Sequence, residues 1–127
     1  MKYIYGLNKS GQSIINFLDK LNEDYYCWDD NKYIRNQLIL SKKKIKLVKP
    51  KDLNFKTITE SFISPGISLN NKQIILLKKK KIKIFRDLEL YSRYVANKYI
   101  IAITGTNGKS TTSKLISDVL KKNKIKN

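Results

Sequence analysis

The sequence predicts an α/β fold, in which a parallel sheet carries helices on both of its faces. Short apolar runs alternate with stretches of helical periodicity along most of the 127 residues. Several of the apolar runs end in Gly, Pro, Asp or Asn, which are typical turn residues. The hydrophobic share of 41% is large enough for a packed core. Strands that alternate with helices in this way are typical of parallel sheets.

The apolar runs predict five strands in the first part of the chain, at Lys2–Gly6, Tyr25–Trp28, Ile45–Val48, Ser61–Ser64 and Ile82–Phe85. The segments between and after them predict four helices, at Ser10–Asn22, Tyr33–Leu40, Leu69–Lys81 and Asp87–Asn97. The first helix has a clear apolar face, formed by Ile14, Ile15, Leu18 and Leu21.

The segment Ala96-Asn97-Lys98 is predicted to be a linker, so we expect one domain over residues 1–97 and the start of a second over 98–127. In the second, the uninterrupted apolar run Tyr99–Thr104 predicts a strand buried on both faces. A helix from Lys109 is predicted to turn its apolar residues inward, namely Leu115, Ile116, Val119 and Leu120. One strand and one helix cannot bury a core of their own. We therefore expect a complete first domain and a severed second one.

The composition excludes several kinds of site. Cys27 is the single cysteine and the chain has no histidine, so neither an intramolecular disulfide nor a zinc site of Cys and His can form. A lone cysteine fits a reducing cytoplasm. The apolar part of Met1–Gly6 is too short for a signal peptide, and no apolar run approaches the ~18 residues needed to cross a membrane. We expect a cytoplasmic protein with no membrane partner.

The net charge of +17 allows two interpretations. A strongly basic chain can bind nucleic acid. Lysine runs can also cover solvated faces, and here the lysines cluster at Lys42–Lys44, Lys78–Lys81 and Lys121–Lys126. No basic segment is interleaved with stacking aromatic residues in the pattern of single-strand-binding proteins. We interpret the charge as solvated surface and expect no nucleic-acid partner.

The segment Gly105-Thr106-Asn107-Gly108-Lys109-Ser110-Thr111 has the residues of a phosphate-binding loop. Glycines let backbone N–H groups approach a phosphate at a helix N-terminus. Lys109 can reach the terminal phosphates, and a hydroxyl of Ser110 or Thr111 can bind Mg²⁺. The general pattern has four residues between its glycines, whereas two lie between Gly105 and Gly108. The alternative is an ordinary turn before a capped helix, but the apolar run before it and the Lys-Ser-Thr after it favour a shortened phosphate loop.

A second glycine turn, Gly6-Leu7-Asn8-Lys9-Ser10-Gly11, follows the first predicted strand. It resembles the dinucleotide-binding fingerprint of Rossmann-like domains, with Asn8 in the place of the second glycine. Asn is among the few residues that tolerate positive φ. Asp29, at the end of the second predicted strand, stands where an acidic residue can bind a ribose hydroxyl. The alternative is a plain strand-to-helix turn.

The turn Ser64-Pro65-Gly66 closes the fourth predicted strand. Ligands of open parallel sheets bind at the carboxyl ends of the strands, so this turn could border a ligand cleft. The same residue types also mark ordinary turns.

Together these motifs resemble the Mur ligase family, and within it the ligases that add D-glutamate. The resemblance spans essentially the whole chain. It is carried by the first glycine turn, Asp29, Ser64-Pro65-Gly66-Ile67, Arg86-Asp87-Leu88-Glu89-Leu90-Tyr91 and Ile103–Thr111. The string Thr-Gly-Thr-Asn-Gly-Lys is shared by Mur ligases and their folylpolyglutamate synthetase relatives. Ser110 and the segments around Gly66 and Leu88 favour the D-glutamate-adding members.

The resemblance implies an ATP-dependent carboxylate–amine ligase of peptidoglycan synthesis. Its first domain, which is Rossmann-like, would hold the UDP part of UDP-N-acetylmuramoyl-L-alanine. The central domain would bind ATP and Mg²⁺, and a third domain would bind D-glutamate. ATP would phosphorylate the substrate carboxylate, and the amine of D-glutamate would then displace phosphate and form an amide. A cytoplasmic monomer is expected.

The resemblance also implies a role for each matching residue. The UDP-substrate would be bound by Gly6, Lys9, Ser10, Gly11, Asp29 and Gly66. The phosphates of ATP would be bound by Gly105, Thr106, Asn107, Gly108, Lys109, Ser110 and Thr111. Ser110 would also be a ligand of Mg²⁺.

Some features depart from the family pattern. Asn8 replaces a usual glycine, and Asp30 and Asn31 stand where the family often has a hydroxyl or a basic residue. The metal-binding Glu, the His and the carboxylated Lys of the family, and its amino-acid domain, lie outside these 127 residues. We therefore expect an N-terminal fragment without catalytic residues that is inactive alone. The alternatives are a stand-alone UDP-sugar or dinucleotide-binding module, including one that uses NAD.

Overall fold

The structure is a computed structural model that describes residues 1–41, 45–94 and 99–125. The chain forms two compact units, Met1–Ala96 and Asn97–Asn127. The first unit contains the sheet and its helices, and the described part of the second contains one helix. The assignment of substrate binding to residues 1–97 and of ATP binding to 98–127 stays a prediction.

The described part of the first unit alternates strands with helices. The strands are β1 (Lys2–Tyr5), β2 (Tyr25–Trp28), β3 (Glu60–Ile63) and β4 (Lys83–Phe85). The helices are α1 (Lys9–Lys20), α2 (Lys32–Ser41), α3 (Lys72–Lys79) and α4 (Asp87–Tyr94), with a 3₁₀ turn at Pro50–Asp52. In α1 the buried residues include Ile14, Ile15 and Leu18, as their spacing predicts. The prediction is wrong for Leu21, which is the C-cap of the helix and is exposed.

The four strands form one parallel sheet in the order β2-β1-β3-β4. β1 is central, because Lys2–Tyr5 pairs with Tyr25–Trp28 on one side and with Glu60–Ile63 on the other. The chain first moves from β1 to β2 and then continues on the opposite side of β1. The strand order therefore reverses between β1 and β3, and a crevice opens at such a point outside the carboxyl ends of the strands. The predicted α/β parallel sheet is confirmed.

Side-chain alternation along β1 divides the core between the two faces of the sheet. Ile4 lies in a buried cluster with apolar residues of α1, α2 and α4. Tyr3 and Tyr5 lie in a second buried cluster with apolar residues of α3 and of the segment after the 3₁₀ turn. Helices therefore cover both faces, as predicted.

The predicted third strand, Ile45–Val48, is wrong. Leu47 makes only an isolated parallel bridge to Cys27, in which the Cys27 N–H donates to Lys46 O and the Val48 N–H donates to Cys27 O, each at 3.1 Å. Pro50 lies two residues after Val48, and it starts the 3₁₀ turn and has no N–H to extend a ladder. The bridge still places this segment beside β2, where a Rossmann-like sheet has its third strand.

Other differences concern the ends of elements. The helix predicted at Leu69–Lys81 begins at Lys72, because the Asn71 side chain caps it by accepting the Gln73 N–H at 2.8 Å. It ends at Lys79, and Lys81 has a φ of 58°, which interrupts a right-handed helix. The strand predicted at Ser61–Ser64 is shifted by one residue, to Glu60–Ile63. The helix predicted at Asp87–Asn97 is observed up to Tyr94, and its last residues and the predicted linker lie outside the described residues.

The second unit contains α5 (Lys109–Lys122), which begins at the predicted residue. The strand predicted at Tyr99–Thr104 is wrong, because these residues form no strand, and Ile100 is 60% exposed. A strand needs a neighbour that takes its backbone hydrogen bonds, and the described part of this unit offers none. For the same reason α5 buries none of its residues, and the inward packing predicted for Leu115 and Val119 is also wrong.

Three properties of the described residues concern membranes, metal ligands and the single cysteine. None of their helices is long and apolar enough to cross a bilayer, and no three of their His, Cys, Asp or Glu side chains are grouped as metal ligands. Burial raises the pKa of the Cys27 thiol to about 12. Cys27 is therefore protonated at neutral pH and does not act as a nucleophile.

Two buried serines, one within β3 and one just after it, provide a matched test of packing. Ser61 Oγ has no hydrogen-bond partner in the described part of the chain, whereas Ser64 Oγ donates to Gly6 O at 2.8 Å. We expect Ser61→Ala to raise the free energy of unfolding by up to about 1 kcal/mol and Ser64→Ala to lower it by about 1–2 kcal/mol. Urea unfolding followed by Trp28 fluorescence measures both. Equal destabilisation by the two substitutions would contradict this assignment.

Candidate functional site

A cleft of about 590 Å³ lies at the carboxyl ends of β1, β2 and β3. Its volume is within the range of small-molecule sites. The lining comes from the three turns that follow these strands and from the start of α3, and it comprises Tyr5, Gly6, Asn8, Lys9, Ser10, Asp29, Asp30, Ser64, Pro65, Gly66, Ile67 and Asn71. Five of the six residues predicted to bind the UDP-substrate line this cleft, namely Gly6, Lys9, Ser10, Asp29 and Gly66.

Gly6 is the point at which the turn after β1 meets the turn after β3. Its φ is 93°, a conformation that favours glycine. A Cβ at Gly6 would lie 2.6 Å from Ile67 Cδ1 and 2.8 Å from the Ser64 side chain. Ser64 fixes this approach, because its N–H donates to Tyr5 O and its Oγ donates to Gly6 O. No side chain larger than hydrogen fits at Gly6 without moving the neighbouring turn.

Gly11 is the sixth residue predicted to bind the UDP-substrate, and it lies next to the cleft rather than in its lining. It is buried in the first turn of α1, and it is absent from the lining. A Cβ at Gly11 would overlap the carbonyl oxygen of Gly6. Its role in the geometry is therefore to let α1 pack closely on the Gly6 turn, as the third glycine of the fingerprint does.

Lys9 and Ser10 lie in the first turn of α1, which points its N-terminus into the cleft. Lys9 is exposed, so its ammonium can meet an anion that enters from solvent. Asn8 is the N-cap residue with φ −70°, and its side chain makes no capping hydrogen bond in the described structure. The expected tolerance of positive φ at Asn8 is therefore not needed. Uncapped N–H groups, the helix dipole and one lysine together suit a phosphate group.

Asp29 joins the turns after β1 and β2. Its Oδ2 accepts the Leu7 N–H at 2.7 Å, and its Oδ1 accepts the Asn31 N–H at 2.9 Å. Each carboxylate oxygen has a further lone pair, so Asp29 can still accept a hydroxyl of a ligand. The predicted ribose contact is thus compatible with the geometry, but the main contacts that the structure gives Asp29 are structural.

Four lining residues were not predicted to line a cleft: Tyr5, Asp30, Ile67 and Asn71. Asp30 is held by two donors, Tyr5 Oη at 2.5 Å and Trp28 Nε1 at 3.0 Å. Burial raises the pKa of Tyr5, and the hydrogen bond to Asp30 raises it further, so the hydroxyl stays protonated. The signal that could have found Tyr5 is its position as the last residue of β1, because strand ends of a parallel sheet line its ligand crevice.

A guanidinium stabilises the turn that carries Asp29. Arg35 Nη1 donates to Asp29 O at 2.6 Å and to Asp30 O at 2.9 Å. The Arg35 guanidinium also lies over the Trp28 ring, 4.2 Å from its centroid. The acidic wall of the cleft is thereby fixed from the side of α2.

The predicted phosphate loop of the second unit is a glycine turn that ends at the N-terminus of α5. Gly105 and Gly108 have φ values of 148° and 77°, and Gly108 is the N-cap of α5. Lys109 Nζ folds back over the loop and donates to Gly105 O at 2.5 Å and to Thr106 O at 3.3 Å. The loop is fully exposed, from Gly105 through Thr111.

The residues of this loop suit a nucleotide phosphate and a magnesium ion. Backbone N–H groups at a helix N-terminus and one ammonium bind phosphate oxygens. The Ser110 and Thr111 hydroxyls are oxygen donors of the kind that Mg²⁺ takes, since this ion commonly completes its shell with water and substrate phosphates. Thr106 and Asn107 form the tip between the two glycines.

Curated proteins similar to this chain are named UDP-N-acetylmuramoylalanine–D-glutamate ligase. The protein of Wolbachia pipientis wMel is 37% identical over 120 residues, which are 93% of this chain and 24% of that protein. The protein of the Wolbachia of Brugia malayi is 35% identical, over 93% of this chain and 25% of its own length. That of Rickettsia bellii is 31% identical, over 94% of this chain and 26% of its own length. The chain thus spans about a quarter of the length of these relatives. No protein-family model matches it.

The glycines of the cleft provide a test of its construction. Gly6→Ala and Gly11→Ala should each lower the free energy of unfolding by about 2 kcal/mol or more, because each adds a methyl group to a filled position. Gly66→Ala should change it by less than about 0.5 kcal/mol, since a Cβ at Gly66 would have no heavy atom within 4 Å. Thermal or urea unfolding of the three variants checks this. A Gly66→Ala variant as unstable as Gly6→Ala would show that the turn after β3 is placed differently.

Proposed function

We propose, from the similarity over 93% of this chain, that it belongs to the UDP-N-acetylmuramoylalanine–D-glutamate ligase family, that its first unit is the UDP-substrate domain of such an enzyme and that its second unit begins the ATP-binding domain. The whole enzyme would add D-glutamate to UDP-N-acetylmuramoyl-L-alanine with consumption of ATP. The reaction would serve peptidoglycan synthesis in the cytoplasm, and the protein would act as a monomer.

The observation that carries the proposal is the meeting of five expected substrate residues in one cleft. Gly6, Lys9, Ser10, Asp29 and Gly66 come from three separate turns, and the parallel sheet places those turns side by side. The cleft has a basic and an acidic side. Lys9 and the N-terminus of α1 form the basic side, and Asp29 and Asp30 form the acidic side.

This polarity supports an orientation for a UDP-sugar. The diphosphate would lie at Lys9 and Ser10, where one ammonium and the α1 N–H groups offset its charge. The uridine would lie toward Asp29 and Asp30, because carboxylates accept hydrogen bonds from ribose hydroxyls and ring N–H groups. Gly66 would border the same space without a side chain to fill it.

The phosphate loop would supply the ATP half of the reaction. The glycine loop and Lys109 would bind the phosphates, and Ser110 would hold Mg²⁺, which neutralises phosphate charge when it is bound. The terminal phosphoryl group of ATP would pass to the carboxylate of the substrate, which would give an acyl phosphate and ADP. The amine of D-glutamate would then attack the acyl phosphate, so that an amide and inorganic phosphate form.

A second candidate is a stand-alone binding module without catalysis. The cleft alone would suit a UDP-sugar or a dinucleotide, because the fingerprint turn and an acidic residue after β2 are shared by both kinds of site. The phosphate loop that follows in the same chain favours the ligase. Competition between the two ligands separates these candidates.

Binding of UDP-N-acetylmuramoyl-L-alanine to the 127-residue chain is the direct test. Calorimetry should detect binding, with little competition from NADH. Lys9→Met should weaken the affinity about tenfold, because a charge-assisted phosphate contact is lost. Lys20→Met is the matched control, since Lys20 ends the same helix at the opposite pole from the cleft, and it should bind like the unmodified chain. Equal weakening by both substitutions would point to net charge rather than to a site.

The chain alone should show no ligase turnover. Phosphate release that depends on D-glutamate, measured with ATP, Mg²⁺ and the UDP-substrate, should equal the background without enzyme. A full-length relative such as the Wolbachia pipientis protein serves as the positive control in the same assay. D-glutamate-dependent phosphate release by the 127 residues would contradict the proposal that the rest of the enzyme is required.

A further inference from the structure

The Arg86 side chain forms hydrogen bonds to both ends of the turn that borders the cleft after β3. The turn runs from Ser64 to Ile67, and it is closed by the Ile67 N–H, which donates to Ser64 O at 3.0 Å. Arg86 Nη1 donates to Ser64 O at 2.5 Å and Arg86 Nη2 donates to Ile67 O at 3.2 Å. A longer contact of 3.4 Å joins Nη1 to Ile63 O, in β3. The guanidinium thus bridges the strand end, the first residue of the turn and its last.

We propose that Arg86 is a positioning residue for the UDP-substrate, which acts by fixing the Pro65-Gly66 rim of the cleft. This inference rests on the proposed function. Arg86 is absent from the lining of the cleft, so its influence on a ligand runs through the turn. Pro65 and Gly66 are the two central residues of that turn, and both are exposed and face the cleft.

The side chain of Ile67 packs against the second core cluster, but the other hydrogen bonds that tie the turn to the sheet lie at its first residue. Ser64 is tied to β1 through its N–H, which donates to Tyr5 O, and through its Oγ, which donates to Gly6 O. Among the described hydrogen bonds, those of Arg86 are the ones from a side chain that reach the last residue, Ile67. Glycine has the freest backbone of all residue types. The Pro65-Gly66 rim would therefore sample several conformations if the hydrogen bond from Arg86 to Ile67 O were lost.

A guanidinium suits this task better than an ammonium. Its N–H groups form a rigid planar fork that can address separate acceptors at once, whereas lysine carries a single donor atom on a flexible stem. Here two nitrogens of the fork reach carbonyls three residues apart in sequence. The base of Arg86 is also fixed, since its N–H donates to Glu89 Oε2 at 2.6 Å and its carbonyl accepts the Leu90 N–H at the start of α4.

The test compares Arg86→Met and Arg86→Lys with the control Arg93→Met in the 127-residue chain. Arg93 lies in α4, pairs with Glu60 and stacks on Phe85, and it does not contact the turn in the described contacts. Two readouts are taken. Amide hydrogen exchange reports the Ile67 N–H against the Ile4 N–H in the central strand. Calorimetry reports the affinity for UDP-N-acetylmuramoyl-L-alanine.

We expect Arg86→Met to speed exchange at Ile67 and to weaken substrate binding, each by about tenfold or more, the scale for losing charge-assisted hydrogen bonds. Exchange at Ile4 should change much less, because the sheet remains folded. For Arg86→Lys, the exchange rate at Ile67 and the substrate affinity should lie between those of Arg86→Met and the unmodified chain. Arg93→Met should match the unmodified chain in both readouts. If Arg86→Met does not fold, the lysine variant gives the same comparison.

The outcomes separate the inference from the function on which it rests. Unchanged exchange at Ile67 would overturn the clamp. Faster exchange with unchanged affinity would overturn its role in binding. If hydrogen exchange becomes equally faster at Ile67 and Ile4, Arg86 stabilises the whole fold rather than the turn, and the proposal is also overturned. If the unmodified chain binds no UDP-substrate, the proposed function fails, and the role of Arg86 in positioning that substrate fails with it, while faster exchange at Ile67 would still identify the clamp.

Discussion

The cleft depends on the close approach of three turns at Gly6. The Gly6 carbonyl accepts the Ser64 hydroxyl from the turn after β3, and Gly11 brings α1 against the same carbonyl. The next residue, Leu7, donates its N–H to Asp29 in the turn after β2. A side chain at position 6 or 11 would separate these contacts. The ladder hydrogen bonds set the distance between the strands, and the two glycines let the turns that follow them approach closely.

Much of this could be predicted from the sequence, because local chemistry dictates it. Glycines at positions 6 and 11 of a strand-to-helix turn indicate that backbones approach closely there, and the apolar face of α1 predicts its packing directly. The failures have a common physical origin. Ile45–Val48 and Tyr99–Thr104 have the composition of buried strands, but a strand also needs a neighbour for its hydrogen bonds. Leu47 finds one bridge to Cys27, and the segment 99–104 finds none among the described residues.

The cleft residues that escaped prediction are of a different kind. Asp30 and Tyr5 lie 25 positions apart in sequence, and their hydrogen bond forms only because β1 and β2 are adjacent and in register. The ring of Tyr5 packs in the core, as aromatic residues often do. Tyr5 also lines the cleft, because it is the last residue of β1. Sequence patterns report what a residue does for its own element. They do not report which distant group its polar end will meet, and the polar ends line the cleft.

The lysines and the arginines that give the net charge of +17 have different surroundings. Lysine supplies nearly all of the 27 basic residues, and the lysines of the α3 terminus are exposed. The three arginines instead have internal partners. Arg35 holds the carbonyls of Asp29 and Asp30, Arg86 holds the turn after β3, and Arg93 pairs with Glu60. Two of the three thus fix walls of one cleft through several backbone carbonyls, and Arg86 uses two nitrogens of its planar fork to do so. The net charge thus comes mainly from lysines, whereas the three guanidinium groups have partners within the first unit.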